Sequence, residues 1–62
     1  MALKKFYIKV RGYWSKKYEW STDSNKIYKD DYEIGKANSL QDAIDVAKSD
    51  CGADENSIVE VS

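Results

Sequence analysis

Polar and apolar side chains alternate with a period of two along residues 3–11. Phe6, Ile8 and Val10 share one face, and Lys5, Tyr7, Lys9 and Arg11 share the other. That period belongs to a strand buried on one side only. Gly12 and Tyr13 offer a turn, and residues 13–22 continue as a second strand rich in aromatics. Its alternation sets Trp14, Tyr18 and Trp20 on one face, with Ser15, Lys17 and Glu19 opposite. Asp23, Ser24, Asn25 and Lys26 form a turn cluster. Asp, Ser and Asn side chains bond their own backbone, and Asn tolerates a left-handed conformation. Residues 27–36 predict a third strand with Tyr28, Tyr32 and Ile34 on one face. Asp30 and Asp31 in its middle mark a bulge or a late start.

The period then changes. Leu40, Ala43, Ile44, Ala47 and Cys51 recur at helical spacing as one apolar stripe, with Asp42, Asp45 and Ser49 opposite. Ser39 suits the N-cap, with Asp42 three residues on as a short capping-box acid; Asn38 with Gln41 is the competing cap. Gly52 suits the left-handed position that ends a helix. Residues 57–61 predict a short final strand. The element order is therefore β-β-β-α-β, and the helix stripe has only the sheet to bury itself against. The predicted fold is α+β, a mainly antiparallel four-stranded sheet in the order 3-2-1-4. The last strand runs parallel to the first and beside it, with one helix on the Phe6/Ile8/Val10 face. The Lys5/Tyr7/Lys9/Arg11 face is left open to solvent.

Composition narrows the function. Sixty-two residues form a single domain, 1–62, with a core that is only marginally sufficient at this size. Cys51 is the only cysteine and histidine is absent, so no disulfide framework is possible and a zinc site would have carboxylates alone. No metal and no cofactor is expected. A lone thiol, no apolar leader and no run of membrane-spanning length predict a cytoplasmic protein with no membrane partner. Five tyrosines, two tryptophans and one phenylalanine exceed what so small a core can hold, so some aromatics lie on the surface. Exposed Tyr and Trp enrich binding patches.

The formal net charge of −1 hides an asymmetry: residues 1–20 carry +5 and residues 21–62 carry −6. A basic, aromatic first third joins an acidic remainder, which can present one face to an anionic partner. Lys5, Tyr7, Lys9 and Arg11 project together from the first strand, and Tyr13 or Lys17 extends the patch from the second. Cations interleaved with a ring suit single-stranded nucleic acid, and they equally suit an acidic protein surface. The same lysines also serve an ordinary solvated face that resists edge aggregation. Trp14 and Trp20 are expected as core or rim residues closing over the helix; if both are exposed they become interface anchors.

Catalytic patterns are missing. Asp23 opens an Asp-x-Asn pattern, but Tyr28 and Ile34 stand where a calcium loop needs Gly and Glu. Cys51 has no histidine to act as its base and reads as a buried structural thiol. The three glycines are scattered, so no phosphate-cradling loop is formed. No enzyme is expected.

The run Glu33-Ile34-Gly35-Lys36-Ala37-Asn38-Ser39-Leu40-Gln41-Asp42-Ala43-Ile44-Asp45-Val46-Ala47 takes a strand into a capped helix. It resembles small proteins of phages and mobile elements, some anti-CRISPR proteins among them, that put one helix on a short antiparallel sheet. That resemblance implies a stoichiometric inhibitor that blocks a host protein or nucleoprotein complex by contact. Arg11-Gly12-Tyr13-Trp14 followed by the Ala43-centred helix is similar to the DNA-binding arms of phage-type integrases. That likeness implies DNA read by the sheet through Lys5, Tyr7, Lys9 and Arg11. The strand at 57–61 and the acidic remainder depart from its pattern. The expectation is a non-enzymatic binding protein using the basic-aromatic sheet face. The alternatives are a nucleic-acid-binding module and a homodimer joined through exposed aromatics.

Overall fold

The computed structural model describes residues 2–62. Six strands and one helix follow in chain order: β1 (Leu3–Val10), β2 (Tyr13–Trp14), β3 (Tyr18–Ser21), β4 (Lys26–Lys29), β5 (Tyr32–Lys36), α1 (Leu40–Cys51) and β6 (Val59–Val61). The class is α+β, one helix on a sheet whose pairings are antiparallel. β1 pairs with β2, β3 and β6, and β3 leads on through β4 to β5.

The main-chain bonds of β1 divide by parity. Ala2 O accepts from Thr22 N at 3.0 Å and Ile8 O accepts from Ser15 N at 2.8 Å. Lys9 N donates to Ile58 O at 2.8 Å, and Lys5 O accepts from Ser62 N at 2.9 Å. Even-numbered residues thus serve the segment holding β2 and β3, while odd-numbered ones serve β6. β1 is an interior strand, and β2, β5 and β6 each pair on one side only.

Two corrections to the predicted topology share one cause. The expected third strand is a hairpin, β4–β5, with Lys29 opposite Tyr32. Asp30 (φ 48°) and Asp31 (φ 77°) both occupy the left-handed region, the conformation of a two-residue turn whose twist matches its strands. This added reversal raises the strand count and changes the parity of chain direction. β6 therefore lies antiparallel to β1, with Phe6 opposite Val61 and Ile8 opposite Val59, where a parallel strand was expected. The tight turn at Arg11 (φ 53°) and Gly12 (φ 83°) has the same design and ends β1 at Val10.

The second strand is also interrupted. β2 meets β1 with Lys9 opposite Trp14, whereas β3 meets it with Phe6 opposite Tyr18. Three steps along β1 thus match four steps along its partner, so one extra residue is accommodated within 15–17. This is a β-bulge. Ser15 closes the gap: its Oγ accepts the Ile8 N–H at 3.0 Å.

The helix forms as its sequence dictates. Ser39 caps it by accepting the Asp42 N–H at 3.2 Å, and Gly52 ends it at φ 75°. Its stripe of Ala43, Ile44 and Ala47 is buried on Phe6, Ile8, Tyr18, Trp20 and Ile27. The Phe6 and Tyr18 rings stack at 5.6 Å. Cys51 is half-buried at the margin of this core, where full burial was expected. The opposite face of the sheet has no helix over it.

Candidate functional site

The bulge decides what the helix-free face displays. Cross-strand partners share a face, so Lys9 opposite Trp14 carries Trp14 to the helix-free side. Beyond the bulge, Tyr18 and Trp20 point to the core. Alternation without the bulge had placed all three aromatics together; the structure separates them. Trp20 is 9% exposed and donates from Nε1 to the Ala37 carbonyl at 3.1 Å. Trp14 is 48% exposed, and the Lys9 ammonium lies 5.8 Å from the centre of its ring. One tryptophan is core and the other is surface.

The predicted patch residues separate in the same way. Lys5, Tyr7 and Lys9 occupy the helix-free face, as alternation along β1 requires. Arg11 is not on that face as a strand residue; it is exposed in the β1–β2 turn. Tyr13, 79% exposed, pairs with Val10 and so belongs to the helix side at the sheet's end; it does not extend the patch. Lys17 sits in the bulge with its ammonium 3.8 Å from the Glu19 carboxylate.

Carboxylates from the flanking strands also break up the expected cationic row. Glu19 of β3 stands opposite Lys5, and Glu60 of β6 stands opposite Tyr7. The face is mixed in sign, with aromatic side chains between the charges. Two shallow concavities lie on it. One, of about 250 Å³, is lined by Tyr7, Trp14 and Glu60. The other, of about 230 Å³, is lined by Leu3, Glu19, Tyr28 and Asp31. Each combines aromatic surface with carboxylate. Ile58, whose carbonyl takes the Lys9 N–H, is 61% exposed.

Glu60 had a legible signal. Residues 59–61 read Val-Glu-Val, and alternation with the valines inward turns Glu60 to the Tyr7 side in either strand direction. The position of Trp14 had no such signal, because the bulge leaves the aromatic alternation of the sequence unbroken.

A second polar cluster lies on the helix side. Tyr18 donates from its hydroxyl to Asp50 at 2.9 Å, and Lys29 pairs with the same carboxylate at 3.0 Å. Burial, then the Asp50 hydrogen bond, raises the Tyr18 pKa well above the usual tyrosine range. The Lys29 hydrogen bond, then that of Tyr18, holds Asp50 below the usual aspartate range. Both effects favour neutral tyrosine bonded to ionised aspartate. The cluster fastens the end of α1 to β3 and β4.

Among the described residues, no grouping of His, Cys, Asp and Glu could hold a metal ion. Among them too, no helix is long and apolar enough to cross a membrane. Comparison of the chain with family models, curated proteins and solved structures finds no match.

Proposed function

We propose that this protein is a non-enzymatic binding module that docks a protein partner through the helix-free face of its sheet, centred on Tyr7 and Trp14. One observation carries the reading: the bulge turns a large aromatic side chain out of the core and holds it half-exposed beside a concavity. Trp and Tyr in such settings supply most of the binding energy of protein interfaces. The exposed Glu60, unpaired among the described residues, favours a protein over nucleic acid, because it repels a phosphate chain that would follow Lys5 and Lys9. Contact that blocks a larger assembly, as the likeness to phage-borne inhibitors implies, is one form this docking takes.

The test is capture from an extract of the source cells, with and without nuclease, using the native chain and a Tyr7→Ala/Trp14→Ala variant. The expected result is a defined complex that survives nuclease and is lost with the variant, while the variant's thermal melt stays close to native. A complex dissolved by nuclease would establish the nucleic-acid module instead. A complex indifferent to the double substitution would remove this face from the function. Light scattering separates the homodimer, which predicts a doubled mass that Trp14→Asp abolishes.

A further inference from the structure

The Tyr7–Trp14–Glu60 concavity has a chemistry that the flanking lysines do not share. Its lining residues are two aromatics, Tyr7 and Trp14, and one acid, Glu60. Among the described residues the Glu60 carboxylate makes no ion pair and no hydrogen bond, and Glu60 is exposed beside Tyr7. At about 250 Å³ the hollow falls below the range of small-molecule sites, about 300–1,000 Å³, and is scaled to one side chain. The Lys9 ammonium already lies over the Trp14 ring, so that indole accepts a cation in place.

We infer that this concavity seats an arginine side chain presented by the protein partner. Arginine satisfies both features at once: its planar guanidinium stacks on an aromatic face and forms paired hydrogen bonds to a carboxylate. Lysine, a point charge without that plane, reaches ring and carboxylate without flat stacking or a paired hydrogen bond. The inference rests on the proposed docking face and names what that face recognises. It also reverses the sign suggested by the sequence, since the recognised group is a cation. Lys9 then acts as an internal competitor, holding the ring until the partner's guanidinium displaces it.

The experiment follows the two indole N–H resonances of the ¹⁵N-labelled protein during titration with acetyl-Gly-Arg-Gly-amide. Trp20 is the internal reference, because its N–H is committed to Ala37 in the core. The Trp14 resonance should shift saturably while that of Trp20 stays still. Glu60→Gln should weaken binding roughly tenfold, the scale of one charge-assisted hydrogen bond. Lys9→Met should strengthen it a few-fold by vacating the ring. The matching Glu peptide and a short oligothymidylate serve as anionic probes. Tighter binding of either, weakened by Lys9→Met, would overturn the inference and assign the hollow to an anion. An unmoved Trp14 resonance would also overturn it, even where capture from extract still depends on Tyr7 and Trp14. In that case the docking face stands without this occupant. Loss of both results removes the face as well.

Discussion

Trp14 and Trp20 are six positions apart on what the sequence presents as one strand, yet they do opposite things. Trp20 is sealed beneath the helix with its only polar hydrogen bonded to Ala37; Trp14 lies half-exposed on the other side of the sheet. Composition does not distinguish them, and neither does the spacing rule. One extra residue in the ladder does, because a single-residue slip moves every later side chain to the other face. The sheet's two faces are thus made from one aromatic run divided by a bulge.

The largest expected effect separates the two tryptophans directly. Trp20→Ala removes a buried ring and should cost about 3–5 kcal/mol. A core of this size rarely supplies more than about 3–5 kcal/mol in total, so the variant should be largely unfolded at room temperature. Trp14→Ala should cost less than about 1 kcal/mol, a cation–π contact and some partly exposed area. Near-ultraviolet circular dichroism and urea melts of the two variants check this. Equal losses would mean that Trp14 is part of the core and that the faces are not distinct.

The features legible in the sequence were those fixed by local periodicity. The α1 stripe, its Ser39 cap and its Gly52 end follow from helical spacing and cap chemistry, and the inward Phe6 and Ile8 follow from alternation. What escaped was everything that depends on an irregularity. Asp30-Asp31 does not carry the Asn-Gly signature of a two-residue hairpin, so the reversal there reads as a bulge within one strand or a late strand start. The bulge at Ser15–Lys17 falls where polar residues fit a strand's exposed positions and so breaks no pattern. Alternation puts Lys5, Tyr7 and Lys9 on the correct face, but it does not say which side chains of the adjacent strands stand beside them. A face is a two-dimensional object, and Glu19 and Glu60 enter it from other strands.

The next effect concerns the device that holds the bulge. Ser15 Oγ takes the Ile8 N–H, which the extra residue would otherwise leave without a partner beside the core. Ser15→Ala orphans that donor and should cost about 1–3 kcal/mol. Faster amide exchange at Ile8 should accompany the loss. If stability falls while Ile8 exchange is unchanged, the serine is not what sustains the division between faces.

On the helix side, the Lys29–Asp50–Tyr18 cluster predicts a pH dependence of stability. Asp50 ionises more readily folded than unfolded, because Lys29 and then Tyr18 bond its charged form. The unfolded chain therefore binds the proton first as pH falls. The stabilisation is present above the ordinary aspartate pKa and is lost as pH drops through the lower folded value. Urea midpoints measured from about pH 6 down to about pH 2 should decline on this account. Asp50→Asn should lower the midpoint at neutral pH and flatten part of that decline.

The smallest effect tests whether the helix-free face is built for stability or for display. Asp31 holds φ 77° and lines the hollow with Leu3, Glu19 and Tyr28. A residue with a side chain costs roughly 1–2 kcal/mol in that conformation, and glycine there returns part of the gain through its greater unfolded freedom, roughly 0.5–1 kcal/mol. Asp31→Gly should therefore stabilise the domain by about 0.5 kcal/mol, read as a small rise in urea midpoint. Such a gain would mean that the turn tolerates strain to keep a carboxylate at the rim of the hollow, as strained backbone at functional surfaces often does. A loss would mean that Asp31 is held by contacts that favour the native turn, and that this end of the face is structural. The Trp14 end would then be the face's sole recognition element, and the second hollow a by-product of the hairpin.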